Sequence, residues 1–350
     1  MLHAFFSLAP LFVALLCTLN IISHWEQRSN AQRSLLVYTI YNVMYFSTTG
    51  YFMFNGFPNW LAIPWLLSAW MLDPAFYYTI LHFTSERNKL DWKNYLLVLP
   101  SLIAAAIQLF HPEFFNSWTD RILKIVFTSS IYAVCLQKVF RFEKQINNSY
   151  SETEDKSPRP IRILLVVMLV FSLVEFTANL LPVGDMSNAL LYFYWICFAA
   201  ILYSVVYVIN GYQFSALEME HEIEEDDLEI DNPNSLSLKN VTDSQEQIGK
   251  TLSKLMNDDY IFLQQNLKIN DLASMIDTNR TYLSRYVNQQ LNMSFSDYIN
   301  SKRIKYAVAV LKATPDISLI KLTAKSGFAN RRSFLINYRK FTGKPFQENK

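Results

Sequence analysis

Residues 269–290 read INDLASMIDTNRTYLSRYVNQQ and predict two short amphipathic helices separated by a turn. Apolar residues recur at three- and four-residue spacing in each half, so each helix has one face that can be buried. These apolar positions are Leu272, Ala273, Ile276, Leu283, Tyr286 and Val287. The intervening Asp277-Thr278-Asn279 offers turn and N-cap residues. The stretch therefore predicts a helix-turn-helix unit.

The second helix of this unit carries a polar and basic face. Arginine and asparagine side chains can form paired hydrogen bonds with the edges of bases, and threonine and serine can donate or accept single bonds. The alternatives for each residue are contact with phosphate only or plain exposure to solvent. The candidate DNA-contacting residues of this helix are Arg280, Thr281, Tyr282, Ser284, Arg285 and Asn288.

The same arrangement recurs about fifty residues later. Residues 320–326 predict a short helix, Gly327 turns the chain, and residues 331–341 predict a second helix with Asn330 as its N-cap. Between the two units, residues 295–312 predict a linking helix that holds them at a fixed separation. The candidate DNA-contacting residues of the second unit are Asn330, Arg331, Arg332, Ser333, Asn337, Arg339 and Lys340.

Charge is distributed unevenly along the 350 residues. Residues 244–350 contain 17 basic and 8 acidic residues, residues 211–243 contain 1 and 10, and residues 1–210 contain 13 and 12. We therefore predict three parts that face different partners: residues 1–210, an acidic linker at 211–243 and a domain that binds double-stranded DNA at 244–350. The linker could compete with DNA for the basic domain, or it could serve only as an extended spacer.

The C-terminal region resembles the DNA-binding domain of the AraC/XylS family from about Ile269 to Phe346. Three positions depart from the family pattern, because Asn292 replaces a glycine, Thr323 an alanine, and Ile336 a frequently basic residue. The resemblance rests on the order and spacing of Leu272, Ala273, Tyr282, Leu283, Ser284, Arg285, Ser294, Phe295, Tyr298, Ile299, Arg303, Ala307, Leu311, Gly327, Phe328, Phe334, Lys340, Phe341, Gly343 and Pro345.

This resemblance implies a transcription regulator with two recognition helices, each entering a major groove on one face of the DNA. Arg331 and Arg332 are expected to reach bases, whereas Arg303 and the lysines are expected to hold phosphates. RNA polymerase is an expected partner of such a regulator, and a homodimer is compatible with it.

The first 210 residues contain seven apolar segments whose lengths suit the crossing of a lipid bilayer. We therefore predict a seven-helix transmembrane domain, so that the whole protein is all-α and the lipid bilayer is one of its partners. The segments are Phe5–Ser23, Leu35–Phe54, Trp60–Phe83, Tyr95–Phe110, Ile122–Phe140, Ile163–Leu181 and Ala189–Asn210.

Basic residues in the short loops predict the orientation of these segments. The loops at 24–34, 84–94 and 141–162 hold ten lysines and arginines, whereas the other three loops hold only Arg121. The N-terminus is therefore expected outside and the C-terminal domain in the cytoplasm. The expected location is the inner membrane of a bacterium, crossed several times.

Two carboxylates lie midway along predicted spans, Asp73 in the third and Glu175 in the sixth. Charges at that depth are costly and often functional, so both are candidates for sensing. The structural alternatives are that Asp73 satisfies amides freed by Pro74 and that Glu175 pairs with a neighbouring helix. The expected signal is an unknown small molecule or another membrane protein.

Catalytic motifs are absent from the sequence, which has no glycine-rich phosphate loop, no H-E-x-x-H and no G-x-S-x-G. Cys17, Cys135 and Cys197 lie in apolar segments without metal-binding spacing. We therefore expect no enzymatic activity, no metal and no cofactor. The favoured function is a one-component regulator, and the alternatives are a transporter or an anchor or docking protein with a DNA-binding tail.

Overall fold

The computed structural model describes residues 2–23, 25, 29–55, 58–84, 96–110, 118–180, 188–211 and 238–347. Within these ranges the chain is helical and contains no strand, in agreement with the all-α prediction. The helices before residue 212 each overlap one predicted apolar segment. They are α1 (Leu2–Ser23), α2 (Asn30–Asn55), α3 (Asn59–Thr84), α4 (Leu99–Phe110), α5 (Trp118–Ser149), α6 (Arg159–Leu180) and α7 (Asn188–Gly211).

The C-terminal helices follow the predicted pattern of two units and a link. The helices are α8 (Leu238–Asn257), α9 (Ile269–Met275), α10 (Arg280–Arg285), α11 (Phe295–Ala313), α12 (Leu319–Lys325) and α13 (Arg331–Thr342). The pairs α9–α10 and α12–α13 form the two helix-turn-helix units, and α11 joins them. Helix α8 precedes both units, and α10 continues into a π-helical turn at Tyr286–Gln290.

The chain divides into two compact units. The first contains residues 1–141 and 158–217, and the second contains residues 142–157 and 218–350. Residues 212–237, which include most of the acidic linker, lie outside the described residues. The division differs from the predicted one because 142–157 belongs with the C-terminal domain.

The segment 142–157 was expected to be part of a loop between two spans. Instead, α5 continues nine residues past the predicted end of its apolar segment at Phe140 and stops at Ser149. Residues 141–149 contain no glycine or proline to end the helix, and the one-turn pair Phe142 and Ile146 is buried. The helix α5 therefore extends beyond the apolar segment from which it was predicted.

Two of the described helices meet the length and composition of a membrane span, Arg121–Ser149 and Phe193–Gly211, and Leu8–Ser23 is a shorter apolar helix. A core helix of a soluble protein can meet the same two criteria. Within the described residues the seven predicted segments are helical, whereas the crossing of a membrane by seven spans stays a prediction.

Candidate nucleic-acid interface

The ends of the first recognition helix, α10, are fixed by polar side chains. The Asn279 side chain accepts a hydrogen bond from the Tyr282 backbone N–H at 2.9 Å, which confirms the predicted N-cap. Asp277 and Asn292 adopt the left-handed conformation, with φ of 54° and 51°. Asparagine and aspartate tolerate this conformation, so Asn292 can replace the glycine of the family pattern.

The second recognition helix, α13, begins in the same way. Asn330 Oδ1 accepts a hydrogen bond from the Ser333 N–H at 2.8 Å, as the sequence predicted. In the preceding turn Gly327 has φ of +81°, and a Cβ there would lie 2.7 Å from the backbone of Leu263. Both the conformation and the space therefore require glycine at this turn.

The linking helix α11 contributes to the cores of both units. Phe295 and Ile299, in its first half, pack with residues of α8, α9 and α10. Ile304 and Ala307, in its second half, pack with residues of α12 and α13. Because α11 packs in both cores, it contributes to the separation of α10 and α13, and this separation determines which two sites on DNA the helices can reach together.

Six of the predicted DNA-contacting side chains are exposed. Arg331 and Arg332 are the first two residues of α13, and recognition helices commonly approach bases with their N-terminal residues. Lys340 also pairs with Asp297 of α11, so part of its charge is compensated within the protein. The exposed residues are Thr281, Arg285, Arg331, Arg332, Arg339 and Lys340.

Five further candidates are half-buried. Arg280 Nη2 donates a hydrogen bond to Ser149 Oγ at 2.8 Å. Asn288 Nδ2 donates to the Ser284 carbonyl at 2.8 Å. These contacts occupy part of the hydrogen-bonding capacity of α10 and of the π-helical turn that follows it. The half-buried candidates are Arg280, Tyr282, Ser284, Asn288 and Asn330.

Ser333 and Asn337 are buried, contrary to their expected position on the DNA-facing surface. They lie one turn apart, next to the buried Phe334, on the inner side of α13. Asn337 Nδ2 donates to the Ser333 carbonyl at 3.0 Å and to Glu154 Oε1 at 3.2 Å. The Asn337 side chain therefore holds contacts inside the second unit, and in this structure neither side chain is accessible to a base.

Arg303 is the clearest correction to the predicted site. The sequence predicts a phosphate contact, but its side chain is fully buried. Its Nε donates to the Phe262 carbonyl at 2.7 Å and its Nη2 to the Gln264 carbonyl at 2.6 Å. Burial lowers the pKa of Arg303 to about 10, opposed by the nearby carboxylate of Glu152, so the guanidinium is charged at neutral pH. Arg303 is therefore a structural residue that joins α11 to the segment before α9.

No sequence pattern indicates Glu152, the acidic residue that faces Arg303. Glu152 lies in the polar segment between α5 and α6, and its Oε1 is 3.4 Å from Arg303 Nη1. Both of its carboxylate oxygens also accept from the Ala329 N–H, at 3.1 and 3.2 Å. A single acidic residue in a polar loop has no periodicity that could predict such a long-range contact.

The predicted sensing residues belong to the first unit. Asp73, in α3, is buried, and its Oδ2 accepts from Thr128 Oγ1 at 2.6 Å and from Lys124 Nζ at 3.0 Å, both on α5. Lys124 Nζ also donates to the Ala69 carbonyl at 2.7 Å. Glu175 lies in α6, but its side chain is outside what the structure describes.

Comparison with known proteins agrees with the geometry of α9 to α13. Residues 272–349 match a family model described as "Helix-turn-helix domain". The second unit is thus similar to a helix-turn-helix domain. Over 79 residues the chain is 27% identical to the Msm operon regulatory protein of Streptococcus mutans, and the alignment covers 23% of this chain. It spans only 28% of that relative, and no solved structure matches.

The helix-turn-helix domain supports a role in DNA-binding transcription regulation. The matched region begins within α9 and ends beyond α13, so it contains both recognition helices and the linking helix. It does not include residues 142–157, although they belong to the same compact unit. The additional segment is therefore a feature of this chain that the family model does not describe.

Proposed function

We propose that this protein is a membrane-anchored one-component transcription regulator. Its second unit binds specific double-stranded DNA through α10 and α13, and its first unit resides in the membrane and responds to a signal. The observation that carries the proposal is the pair of capped recognition helices on one linking helix, both with exposed arginines. A dimer and contact with RNA polymerase are compatible extensions of this function.

The surface of the first unit supports a location in lipid. In the two candidate spans, Arg121–Ser149 and Phe193–Gly211, only 28% and 33% of the most apolar stretch is buried, whereas a core helix of a soluble protein is mostly buried. Large apolar side chains on several other helices are also exposed, among them Leu16, Trp60 and Ile163. Apolar surface of this extent needs a lipid or protein covering.

The cluster of Asp73, Lys124 and Thr128 is the candidate for sensing. A carboxylate inside an apolar helical unit is costly, and here its charge is compensated by Lys124, whose side chain is 32% exposed. A ligand or proton that weakened this pair would alter the contact between α3 and α5. The cluster thus offers a local change through which a signal could act.

The DNA-binding part is tested with the full chain in lipid nanodiscs. Duplexes are selected from a random 40-base-pair library, and the affinity for the enriched duplex is measured at several salt concentrations. If about five phosphates are neutralised, the logarithm of affinity should fall with the logarithm of salt at a slope of about −4 to −5. No enrichment, or an affinity that does not change with salt, would contradict the proposal.

A matched variant distinguishes the recognition face from general charge. Replacing Arg331 and Arg332 together with glutamine should reduce the affinity and the salt slope, because both side chains are exposed at the start of α13. Replacing the exposed Lys305 and Lys312 of α11 with glutamine removes the same charge from the second unit. A similar loss in both variants would show that binding depends on net charge alone.

Membrane topology is tested separately. Reporter domains fused after Gly211 and inserted at residues 55–59 should report opposite sides of the membrane, with the first in the cytoplasm. A fusion after Gly211 that is active only outside the cell would exclude the whole proposal, since the DNA is cytoplasmic. Substrate flux in vesicles would instead favour a transporter.

A further inference from the structure

The segment between α5 and α6 is bonded into the second unit through its backbone. The Ser151 N–H donates to the Leu267 carbonyl at 3.1 Å, just before α9. The Ser151 carbonyl accepts from Ser296 Oγ at 3.1 Å and from Asn300 Nδ2 at 2.8 Å, both on α11. Ser151 itself is buried. These contacts attach the segment to the first helix-turn-helix unit and to the linking helix together.

Glu152 extends this attachment to the second helix-turn-helix unit. Its carboxylate contacts the Asn266 N–H before α9 at 3.5 Å, the Arg303 guanidinium on α11 at 3.4 Å, and the Ala329 N–H before α13 at 3.1 Å. Its side chain is 8% exposed. One charged group therefore joins three parts of the domain that are far apart in sequence, in a setting where charge-assisted hydrogen bonds are strong.

Two residues that flank these contacts, Ser149 at the end of α5 and Glu154, bond to the two recognition helices. Ser149 Oγ accepts from Arg280 of α10, and Glu154 Oε1 accepts from Asn337 of α13. The other face of these helices is not covered, because Thr281 and Arg332 remain exposed in the presence of the segment. The segment therefore holds the inner sides of the recognition helices and leaves an outer face available to DNA.

We propose that residues 149–154 are an internal clamp and that Glu152 is a positioning residue, which fixes the separation of α10 and α13. The clamp begins at Ser149, the last residue of α5, and α5 also supplies Lys124 and Thr128 to the cluster around Asp73 in the first unit. A displacement of α5 by a signal thereby changes the spacing of DNA sites that the protein accepts. This inference rests on the proposed function and concerns the regulation of the same DNA-binding site.

The test measures spacing discrimination. The duplex enriched by the wild-type full chain in nanodiscs is altered by inserting or deleting one and two base pairs between its two contacted halves, as located by footprinting. Affinities for this series are compared between the wild type, Glu152→Gln and Asp155→Asn. Asp155 is an exposed acid in the same segment, so Asp155→Asn makes the same change of charge outside the clamp.

Glu152→Gln is expected to lower the affinity for the original duplex by about tenfold, the effect of weakening a charge-assisted contact. Its affinity for the altered duplexes should fall much less, so that the preference for one spacing becomes weaker. Asp155→Asn should keep the wild-type preference. Simple destabilisation would lower the affinity for every duplex by the same factor, and that result would overturn the positioning role.

A second variant covers the case in which Glu152→Gln does not fold. Ser296→Ala removes one of the two hydrogen bonds to the Ser151 carbonyl, together with the bond that Ser296 Oγ accepts from Asn300 at 3.2 Å, and keeps the Glu152 carboxylate and Arg303. It should weaken the spacing preference in the same direction but by less. Wild-type discrimination in this variant would exclude the clamp, whereas absence of DNA binding by the wild type would exclude the proposed function and this inference with it.

Discussion

The two helix-turn-helix units share a plan but differ in what they offer to DNA. The recognition helix α13 has 12 residues and starts with two exposed arginines. The recognition helix α10 has 6 residues before its π-helical turn, and its exposed arginine, Arg285, is its last residue. Since recognition helices commonly read bases near their N-termini, α13 is expected to supply more of the base contacts.

The hydrophobic cores of the two units also differ, and here the first unit has the larger one. The first core includes Leu252 and Met256 of α8 in addition to residues of α9, α10 and α11. The second core has five buried residues and depends on Phe328 and Phe334, with Phe346 packed against them. The difference indicates that the unit with more exposed arginines is also the one with the smaller hydrophobic core, and hence the more easily destabilised.

The largest expected effect comes from the turn of the second unit. Gly327→Ala should destabilise that unit by about 2–5 kcal/mol, because it adds a left-handed non-glycine residue and a steric overlap with Leu263. Gly343→Ala is the matched control, since Gly343 has φ of +74° but nothing within 4 Å of an added Cβ, and should cost only about 1–2 kcal/mol. Hydrogen exchange of α12 and α13 in the full chain measures both, and equal changes would contradict the role of Leu263.

Whether a sequence-based prediction was correct depends on how far apart in the sequence the interacting residues are. The caps at Asn279 and Asn330 and the left-handed Gly327 depend on neighbours within a few residues, so local patterns predicted them correctly. Arg303 and Glu152 are 151 residues apart, and the sequence around each of them does not indicate the other as its partner. A basic residue on a helix of a DNA-binding domain was therefore assigned to phosphate, although its neighbours in the fold bury it.

A smaller effect should distinguish the two recognition helices. Arg332→Ala is expected to reduce binding by about 1–3 kcal/mol and to relax the preference at one base position. Arg285→Ala should cost less, since Arg285 lies at the C-terminal end of α10. Affinities for a set of duplexes, each with one base pair replaced, measure both variants. A loss of equal size on all duplexes would assign Arg332 to phosphate, and a larger loss in Arg285→Ala would reverse the comparison.

The smallest effects concern the helix caps, where the two units are most alike. The hydrogen bonds to Asn279 and Asn330 measure 2.9 and 2.8 Å. Replacing either residue with alanine should therefore destabilise its helix by about 1 kcal/mol. Asn330→Ala should lower the DNA affinity more than Asn279→Ala. The reason is that Asn330 caps the first turn of α13, which carries Arg331 and Arg332.

Replacing the same two residues with aspartate distinguishes an effect on the helix cap from an effect of proximity to DNA. Asn279→Asp and Asn330→Asp both keep a side-chain acceptor for the cap, and a negative charge is favourable at a helix N-terminus, so hydrogen exchange in the two helices should be close to wild type. A carboxylate near DNA phosphates is repelled, and the repulsion weakens as salt rises. Asn330→Asp should then bind the selected duplex more weakly than Asn279→Asp at low salt, with the difference shrinking at high salt. If the two aspartate variants bind equally at low salt, the N-terminus of α13 does not approach the DNA more closely than that of α10, and the assignment of the base contacts to α13 is wrong.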